Sequence, residues 1–440
     1  MANPFTYGNP ISDPARFFGR HREVEQIFSR LRNVEFESSS LVGERRIGKT
    51  SLLNYVAHPD IRSAHGLDPD KYLFVYVDLQ ILDKDTTPTR LWKRLLRQMA
   101  RCCYDTEVKQ ALEKLRHVQA IDNFALADLF DSVDEKDQYI VFLLDEFENV
   151  TENENFDPAF FYGLRSLAIH HNLALITSSL HELIELCHSA EIRSSPFFNI
   201  FANINIRLLT EAEAQDLVSS PLNGTGVSFT EGEDNTIFHI AGYHPYFLQA
   251  ACSFLFDAYA MNLGPDERLT FLHKAFLGEA TPHLAHYWKN SYEHEKIVLT
   301  VLTLLERQGR TNGPSFSVKQ LQDLYAHSEQ TLARLEKRGL VVSKAGTFRL
   351  FNTSFGEWIW NEITATGQDQ QDYEEWLKSD KNAMERLKGF PGAAKKTLGG
   401  ILPKIKPEHR EMILKWFSEP IFFAIAGKLM YFALTGKIWE

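Results

Sequence analysis

Apolar runs without polar alternation recur along the first half of the chain, and helical patterns separate them. The clearest is residues 139–144, Tyr-Ile-Val-Phe-Leu-Leu, which is typical of a strand buried on both faces. Similar runs predict strands at 71–80, 172–179 and 204–209, and the serine-rich segment 38–42 has the right position for another. Strands separated by helices predict an α/β fold, a parallel sheet wrapped in helices.

The second half has mainly helical patterns. Three helices at 297–305, 317–325 and 329–338, followed by a hairpin turning at Ala345-Gly346, predict a winged helix-turn-helix. Four domains are therefore expected. They are a sheet domain (1–210), a small helical lid (211–290), the winged helix (291–362) and a basic, mostly helical C-terminal segment (363–440).

Charge is distributed unevenly around a net value of −11. Residues 378–415 contain ten Lys/Arg and four Asp/Glu, a local charge of +6, whereas residues 416–440 sum to zero, so residues 1–377 carry −17. The acidic bulk argues against a protein whose main task is to coat nucleic acid. The basic C-terminal segment needs its own explanation.

An apolar run at 420–434 follows the basic residues. It is too short to span a bilayer and is interrupted by Lys428. A docked amphipathic helix is one interpretation. The other is contact with an anionic membrane, or pore formation, by the basic and then apolar C-terminal segment.

Cysteine usage and the N-terminus bear on the cellular setting. The four cysteines show no C-x-x-C pair or metal-ligand spacing, which favours a reducing cytoplasm. The N-terminal residues lack a basic region followed by an apolar one, so we expect no secretory signal.

One segment has the complete spacing of a phosphate-binding loop, G-x-x-x-x-G-K-S/T, and a helical pattern follows it. Glycines let backbone N–H groups curl around a β-phosphate, the lysine reaches the β- and γ-phosphates, and the hydroxyl of Thr50 ligates Mg²⁺. The helix N-terminus adds a positive dipole end. We therefore expect ATP or ADP with Mg²⁺ to bind at Gly43, Glu44, Arg45, Arg46, Ile47, Gly48, Lys49, Thr50 and Ser51.

A second acidic strand end would complete this site. The apolar run at 139–144 ends in Asp145 and Glu146. Asp145 is predicted to hold Mg²⁺ through water, and Glu146 to orient or activate the attacking water. The alternative is two solvated acids at the end of a strand.

The ordered set of motifs resembles the STAND branch of the AAA+ superfamily, the signal-transduction ATPases with numerous domains. The resemblance is carried by Phe-Phe-Gly-Arg-His-Arg-Glu at 17–23, the phosphate loop, the acidic strand end, Ile-Thr-Ser-Ser at 176–179 and Gly-Tyr-His-Pro at 242–245. It covers roughly residues 13–360, and its specificity lies in the order of the pieces.

The resemblance implies roles for several residues. Phe18 and Gly19 would lie beside the adenine, Thr177 or Ser178 would sense the γ-phosphate, and Pro245 would be the lid proline that contacts nucleotide. A core aromatic and strand-end caps are the structural alternatives. Related origin-recognition ATPases carry an arginine at the start of this lid helix, and residues 242–249 contain none. That departure favours a switch over a fast motor.

Four arginines are candidates for completing a site from a neighbouring subunit or within the chain. Arg165 follows the acidic strand and Arg193 precedes the fifth strand, whereas Arg45 and Arg46 lie inside the phosphate loop. Surface ion pairing is the ordinary role of such residues, and Arg165 is our preferred candidate.

By this resemblance, the chain would be a slow ATPase that acts as a signalling switch. A closed ADP state would give way to an ATP state that self-associates and presents the C-terminal segment as an effector or recruitment module, with an unidentified protein as trigger or downstream partner. An ordinary metabolic enzyme is disfavoured, since no additional nucleophile, metal cluster or substrate motif is visible.

A second interpretation is an ATP-dependent regulator that binds DNA through the winged helix. Its support is an excess of basic over acidic residues in the third helix and the wing. The basic residues are Arg334, Lys337, Arg338, Lys344 and Arg349, against Glu329 and Glu336.

Overall fold

The structure is a computed structural model that describes residues 2–309, 328–344, 347–365, 375–376, 385, 387–418 and 422–436. It contains two compact units. The sheet unit is Thr6–Asn223, and the helical unit is Gly224–Glu440 together with Met1–Phe5. The predicted four-domain division is finer than this and stays a prediction.

Five parallel strands form the centre of the sheet unit, in the order β2-β3-β4-β1-β5. They are β1 (Ser38–Val42), β2 (Tyr72–Asp78), β3 (Tyr139–Asp145), β4 (Leu173–Ser179) and β5 (Phe201–Asn205). On β3, Phe142 and Leu144 belong to one hydrophobic core and Val141 and Leu143 to another, because successive side chains point to opposite faces. This two-sided burial explains the unbroken apolar run and confirms the predicted fold class.

Helices cover both faces of the sheet. They are α1 (His21–Leu31), α2 (Lys49–Ala57), α3 (Pro59–Ala64), α4 (Pro88–Cys102), α5 (Thr106–Arg116), α6 (Asn123–Asp134), α7 (Glu148–Thr151), α8 (Pro158–His170), α9 (Ala190–Arg193) and α10 (Glu211–Ser219). Local chemistry sets several of the starts. Thr87 caps α4 and Asp157 caps α8, each before a proline in the first turn.

The position of the fifth strand corrects the sequence prediction. The run at 204–209 was expected to be the strand, whereas β5 ends at Asn205. Ile206 and Leu209 are buried although they follow the strand. The Ile206 N–H still donates to the Val42 carbonyl at 2.8 Å, so contact with β1 continues one residue beyond the strand. The apolar character of Leu209 reports burial in the core and not pairing in the sheet.

The serine-rich β1 forms although its residues are poor strand formers. Its five residues are all buried, and it pairs with β4 on one side and β5 on the other. The Ser38 hydroxyl accepts the backbone N–H of Leu175 at 3.0 Å. The two-sided backbone ladder thus outweighs the low strand propensity of the side chains.

Among its described residues, the helical unit contains nine α-helices and a two-stranded hairpin. They are α11 (Glu231–Ala241), α12 (Pro245–Ala260), α13 (Pro265–Lys289), α14 (Glu293–Gly309), α15 (Ser328–Lys337), β6 (Val341–Lys344), β7 (Thr347–Leu350), α16 (Thr353–Ile363), α17 (Gly392–Ile401), α18 (Pro407–Trp416) and α19 (Gly427–Thr435). The antiparallel β6–β7 pair agrees with the predicted hairpin. The predicted middle helix at 317–325 and the turn at 345–346 lie outside the described residues, so the winged helix stays a prediction.

Gly242, which follows α11, lies against the segment after the hairpin within the helical unit. Its φ is +61°, and a Cβ at this position would lie 2.1 Å from the Phe351 carbonyl oxygen. Close by, the Asn352 side chain donates to the Ala241 carbonyl at 3.3 Å. Both the backbone conformation and the close approach therefore require glycine.

Much of the described part of the C-terminal apolar run is buried inside the helical unit, although Tyr431, Phe432 and Leu434 are partly buried and Ala433 is exposed. Phe422, Ile425, Leu429 and Met430 are each at most 2% exposed. Just before them, the Trp416 indole N–H donates to Glu293 at 3.0 Å. Among the described residues, every helix is too short or too polar to cross a bilayer. The observed burial favours the docked-helix interpretation over membrane contact.

Candidate functional site

The phosphate loop connects the end of β1 to the start of α2. Gly48 is the N-cap of α2 with a φ of +101°, a conformation that glycine adopts at little cost. At the other end of the loop, a Cβ on Gly43 would lie 2.7 Å from the Ile206 carbonyl oxygen. The positive φ of Gly48 and the close approach of a carbonyl oxygen to Gly43 thus explain why both positions of the motif are glycine. The loop ends where the amides of α2 are available to an anion.

Lys49 begins α2, and its ammonium group turns back onto the loop. It donates to the carbonyl oxygens of Gly43 at 2.7 Å and Glu44 at 3.2 Å. Burial lowers the pKa of Lys49, and the opposing attraction of carboxylates is strongest from Glu148. The cation is therefore held at the loop and has acidic groups around it.

Other loop residues contact the N-terminal segment of the sheet unit. Arg46, with a φ of +66°, donates to the Gly8 carbonyl at 3.0 Å. Ser51 accepts the N–H of Ile11 at 3.0 Å. Among the remaining predicted nucleotide ligands, Glu44 and Ile47 are buried, Arg45 is exposed and Thr50 is partly buried.

Asp145 lies at the carboxyl end of β3 and is held from both sides. The hydroxyl of Ser178, on β4, donates to one carboxylate oxygen. The hydroxyl of Tyr76, on β2, donates to the other at 3.0 Å. Burial and the adjacent Asp145 raise the pKa of Tyr76, which keeps this phenol a donor at neutral pH. Three neighbouring strands therefore fix one carboxylate.

Glu146 follows in the left-handed region, with a φ of +56°. Such a conformation is costly for a side chain with a Cβ, and it is held here by a hydrogen bond from the Glu146 N–H to the Ser178 hydroxyl at 3.0 Å. Burial, and then the charge of Asp145, raise the pKa of Glu146. The backbone thus turns the second carboxylate away from the strand direction.

The two candidate phosphate sensors differ in their surroundings. Ser178 contacts both Asp145 and the Glu146 amide, so it belongs to the acidic strand end. Thr177 is fully buried, and its hydroxyl has no hydrogen-bond partner within the described part of the chain. Alternation along β4 explains the difference. Their role as sensors stays a prediction.

The other residues predicted for the site lie outside the phosphate loop and the acidic end of β3. Arg165 is on α8, partly buried, and Pro245 begins α12 in the helical unit. Phe18 is partly buried and Gly19 has a φ of +74°. The stacked aromatic next to them is Phe17, whose ring lies 4.3 Å from that of Tyr55 on α2. The adenine, lid and trans-acting roles stay predictions.

Sequence reasoning missed three residues that the structure brings to this region. Tyr76 and Arg20 contact Asp145 and the phosphate loop, respectively. Glu148 is the third acid in Asp-Glu-Phe-Glu, and burial raises its pKa to about 7. A tyrosine near the end of a buried strand and an unexplained third acid were the available signals. Nothing in the sequence showed where their side chains point.

The groups gathered here fit a magnesium–triphosphate. Carboxylate and hydroxyl oxygens, as on Asp145 and Thr50, are the ligands that Mg²⁺ prefers. The lysine ammonium and the amides at the start of α2 suit the phosphate chain. Gly43, which is closely packed, and Gly48, which has a positive φ, carry no side chains, so the loop backbone is uncovered at these two positions.

This fold and this arrangement define a P-loop NTPase. The family described as novel STAND NTPase 2 matches residues 32–303, more than half of the chain. The chain belongs to that family. Among curated proteins, no sequence matches it.

Two solved structures are similar to this chain, and the first of them shares its fold. The ORC2 protein of Aeropyrum pernix, determined as ADPNP–ADP complexes, is 15% identical with a TM-score of 0.53, over 82% of this chain and 96% of that one. A Walker-type ATPase of Pyrococcus abyssi is 14% identical with a TM-score of 0.48, over 80% of this chain and 99% of that one.

Proposed function

We propose that this protein is a nucleotide-operated signalling switch that binds ATP and ADP with Mg²⁺ and hydrolyses ATP slowly. A closed ADP state would alternate with an ATP state that self-associates, under the control of an unidentified protein partner. Membership of a STAND NTPase family supports the nucleotide binding. The reducing, cytoplasmic setting expected from the cysteines belongs to the same proposal.

The observation that carries the proposal is the arrangement of Lys49 against the acidic end of β3. The ammonium is held by loop carbonyls at 2.7 and 3.2 Å, and Asp145, Glu146 and Glu148 all act on its pKa. The carboxylates around this one ammonium are in excess, so the site favours an additional cation, and Mg²⁺ would supply that positive charge. The ammonium and the loop amides would bind the phosphates that the Mg²⁺ accompanies.

Each residue then has a distinct task. Lys49 would bind the β- and γ-phosphates, and Thr50 and Asp145 would hold Mg²⁺, which supplies charge neutralisation when bound. Tyr76 and Ser178 keep Asp145 in one orientation. Glu146, turned by its positive φ, would orient the attacking water and accept its proton. The absence of an arginine at 242–249 is consistent with slow turnover.

Two substitutions and a matched control test this assignment. Lys49→Ala should abolish ATP and ADP binding measured by calorimetry, with Mg²⁺ present, while the exposed Lys84→Ala should bind normally. Glu146→Gln should bind ATP without phosphate release. Normal turnover by Glu146→Gln would contradict the role of that residue, and the absence of nucleotide binding by the wild type, purified nucleotide-free, would refute the whole proposal.

Self-association has its own measurement. Light scattering of the wild type should show a larger mass with a non-hydrolysable ATP analogue than with ADP. Glu146→Gln should remain in the larger form with ATP, because it does not return to the ADP state. Equal masses in both nucleotides would remove the assembly step and leave a monomeric NTPase.

The DNA-binding interpretation receives less support from the side chains. Arg338 is 8% exposed and donates to Glu295 at 2.5 Å, and Arg334 pairs with the same carboxylate at 3.4 Å. Two of the five basic residues are thus engaged inside the helical unit. Lys344 and Arg349, on the hairpin, are exposed. DNA retardation that falls steeply with salt would revive this interpretation.

A further inference from the structure

Arg20 lies where three segments of the sheet unit meet. It is 4% exposed and precedes α1 with a φ of +65°. One guanidinium nitrogen donates to the Ile47 carbonyl at 3.0 Å, and the other donates to the Arg207 carbonyl at 2.5 Å. Its backbone N–H donates to the Glu213 carboxylate at 2.6 Å. One residue therefore contacts the phosphate loop, the segment after β5 and the first turn of α10.

The contact with Ile47 fixes the direction of a peptide unit inside the phosphate loop. The carbonyl of Ile47 and the N–H of Gly48 belong to the same planar trans peptide and point in opposite directions. When Arg20 binds this carbonyl on one side, the Gly48 N–H must face the other. Amides of such loops bind phosphate through that side. Arg20 therefore orients a phosphate-binding donor without touching the phosphate itself.

The backbone N–H of Arg20 contacts Glu213 in the first turn of α10. Glu213 closes a capping box there, accepting the Thr210 N–H and hydroxyl, both at 2.9 Å. Gly19 packs closely against the same side chain, because a Cβ at its position would lie 3.0 Å from three Glu213 carbons. The helix α10 is the last α-helix before the sheet unit ends at Asn223. The start of α10 is thus tied to the phosphate loop through one arginine.

Lysine could not reproduce these contacts. A guanidinium presents a rigid planar set of donors that reaches two carbonyls at once, whereas an ammonium is a single point on a flexible stem. A substitution would leave at least one buried carbonyl without its donor. Burial lowers the pKa of Arg20, and the carboxylates Glu23 and Glu213 oppose this in part.

We infer that Arg20 is a positioning residue that couples phosphate binding at the loop to the stability of the first turn of α10. The inference rests on the proposed nucleotide binding. It adds a route by which the effect of phosphate binding is transmitted to the end of the sheet unit. A bound phosphate chain would lock the Ile47–Gly48 peptide, and this would hold Arg20 and, through Glu213, α10.

Hydrogen exchange with and without saturating ADP tests the coupling. In the wild type, amides of α2 and of residues 208–215 should both become better protected. In Arg20→Lys at saturating ADP, the α2 amides should still respond while residues 208–215 should not, and the affinity for ADP should fall about tenfold. Arg22→Lys, at an exposed position in the first turn of α1, is the matched control and should behave as the wild type.

A second variant separates coupling from folding. Glu213→Ala leaves both carbonyl contacts of Arg20 in place and removes the carboxylate that joins the Arg20 N–H to α10, together with the capping contacts of that carboxylate to Thr210. In this variant, ADP should increase the protection of α2 but not of residues 208–215. This variant decides the matter if Arg20→Lys fails to fold. A normal response at 208–215 in either folded variant, or no response there in a wild type whose α2 amides are protected, would overturn the inference. A wild type that binds no nucleotide would instead refute the proposed function.

Discussion

Glu148 should make the stability of the protein depend on pH in a way that one substitution removes. Its Oε1 accepts the N–H of Leu180 at 3.2 Å, and its Oε2 is buried with no hydrogen-bond partner within the described part of the chain. Burial raises the pKa of this carboxyl from 4.5 to about 7, Lys49 opposes the rise, and Glu146 adds to it. The folded protein therefore holds the proton more tightly than the unfolded chain.

The sign and size of the effect follow from that difference. Because the folded pKa is raised, the stabilisation is complete below pH 4.5 and is lost as the pH rises through about 7. Linkage gives about 2 kcal/mol of stabilisation remaining at pH 5.5 and almost none at pH 8.5. Glu148→Gln stays neutral throughout, and its amide oxygen can still accept the Leu180 N–H. Relative to the wild type, the variant should gain about 2 kcal/mol between these two pH values.

Thermal unfolding of nucleotide-free protein measures this gain. For a domain of this size, about 1 kcal/mol corresponds to roughly 2–4 °C, so the melting temperature of the variant should gain about 4–8 °C on the wild type between pH 5.5 and 8.5. Glu154→Gln, at an exposed position shortly after α7, should show a constant difference from the wild type. A difference for Glu148→Gln that stays constant or shrinks with rising pH would refute the reasoning.

Three further substitutions test individual contacts. Tyr76→Phe removes a hydroxyl that holds Asp145, the proposed magnesium ligand, so ATP hydrolysis should need severalfold more Mg²⁺ for half-maximal rate in a metal titration, and an unchanged requirement would contradict this. Gly242→Ala places a methyl group against the Phe351 carbonyl at a positive φ, so it should lower the free energy of unfolding by more than about 1 kcal/mol in a denaturant titration. Arg338→Met leaves the buried Glu295 without its close partner and should cost about 3 kcal/mol, and adding Glu295→Gln should restore part of the loss.

Local sequence signals predicted the parts of the site that depend on spacing along the chain. The phosphate loop places Lys49 at the start of a helix because glycines and helix formers are close in sequence. The strand ending in Asp145 is equally local, since two-sided burial leaves an unbroken apolar run. Such features require no knowledge of the rest of the fold.

Contacts between distant segments could not be predicted in the same way. Tyr76 and Ser178 reach Asp145 only because β2 and β4 flank β3, an order fixed by the whole sheet. Arg20 meets Ile47 and Glu213 across 27 and 193 positions of sequence, respectively. Side-chain direction at these positions follows from tertiary packing, which a pattern of residue types does not encode.

The burial of the C-terminal apolar run limits how the segment could act as the effector that the resemblance implied. A detachable effector would have to expose Ile425, Leu429 and Met430, which are each at most 2% exposed within the helical unit. Exposing three such side chains costs about 4.5–9 kcal/mol, since each contributes about 1.5–3 kcal/mol when buried. A change of one phosphate supplies a coupling of about 1–3 kcal/mol between sites. The apolar run is therefore expected to stay docked in both nucleotide states, and a partner would then contact exposed residues of the segment such as Lys395 and Lys396 of α17.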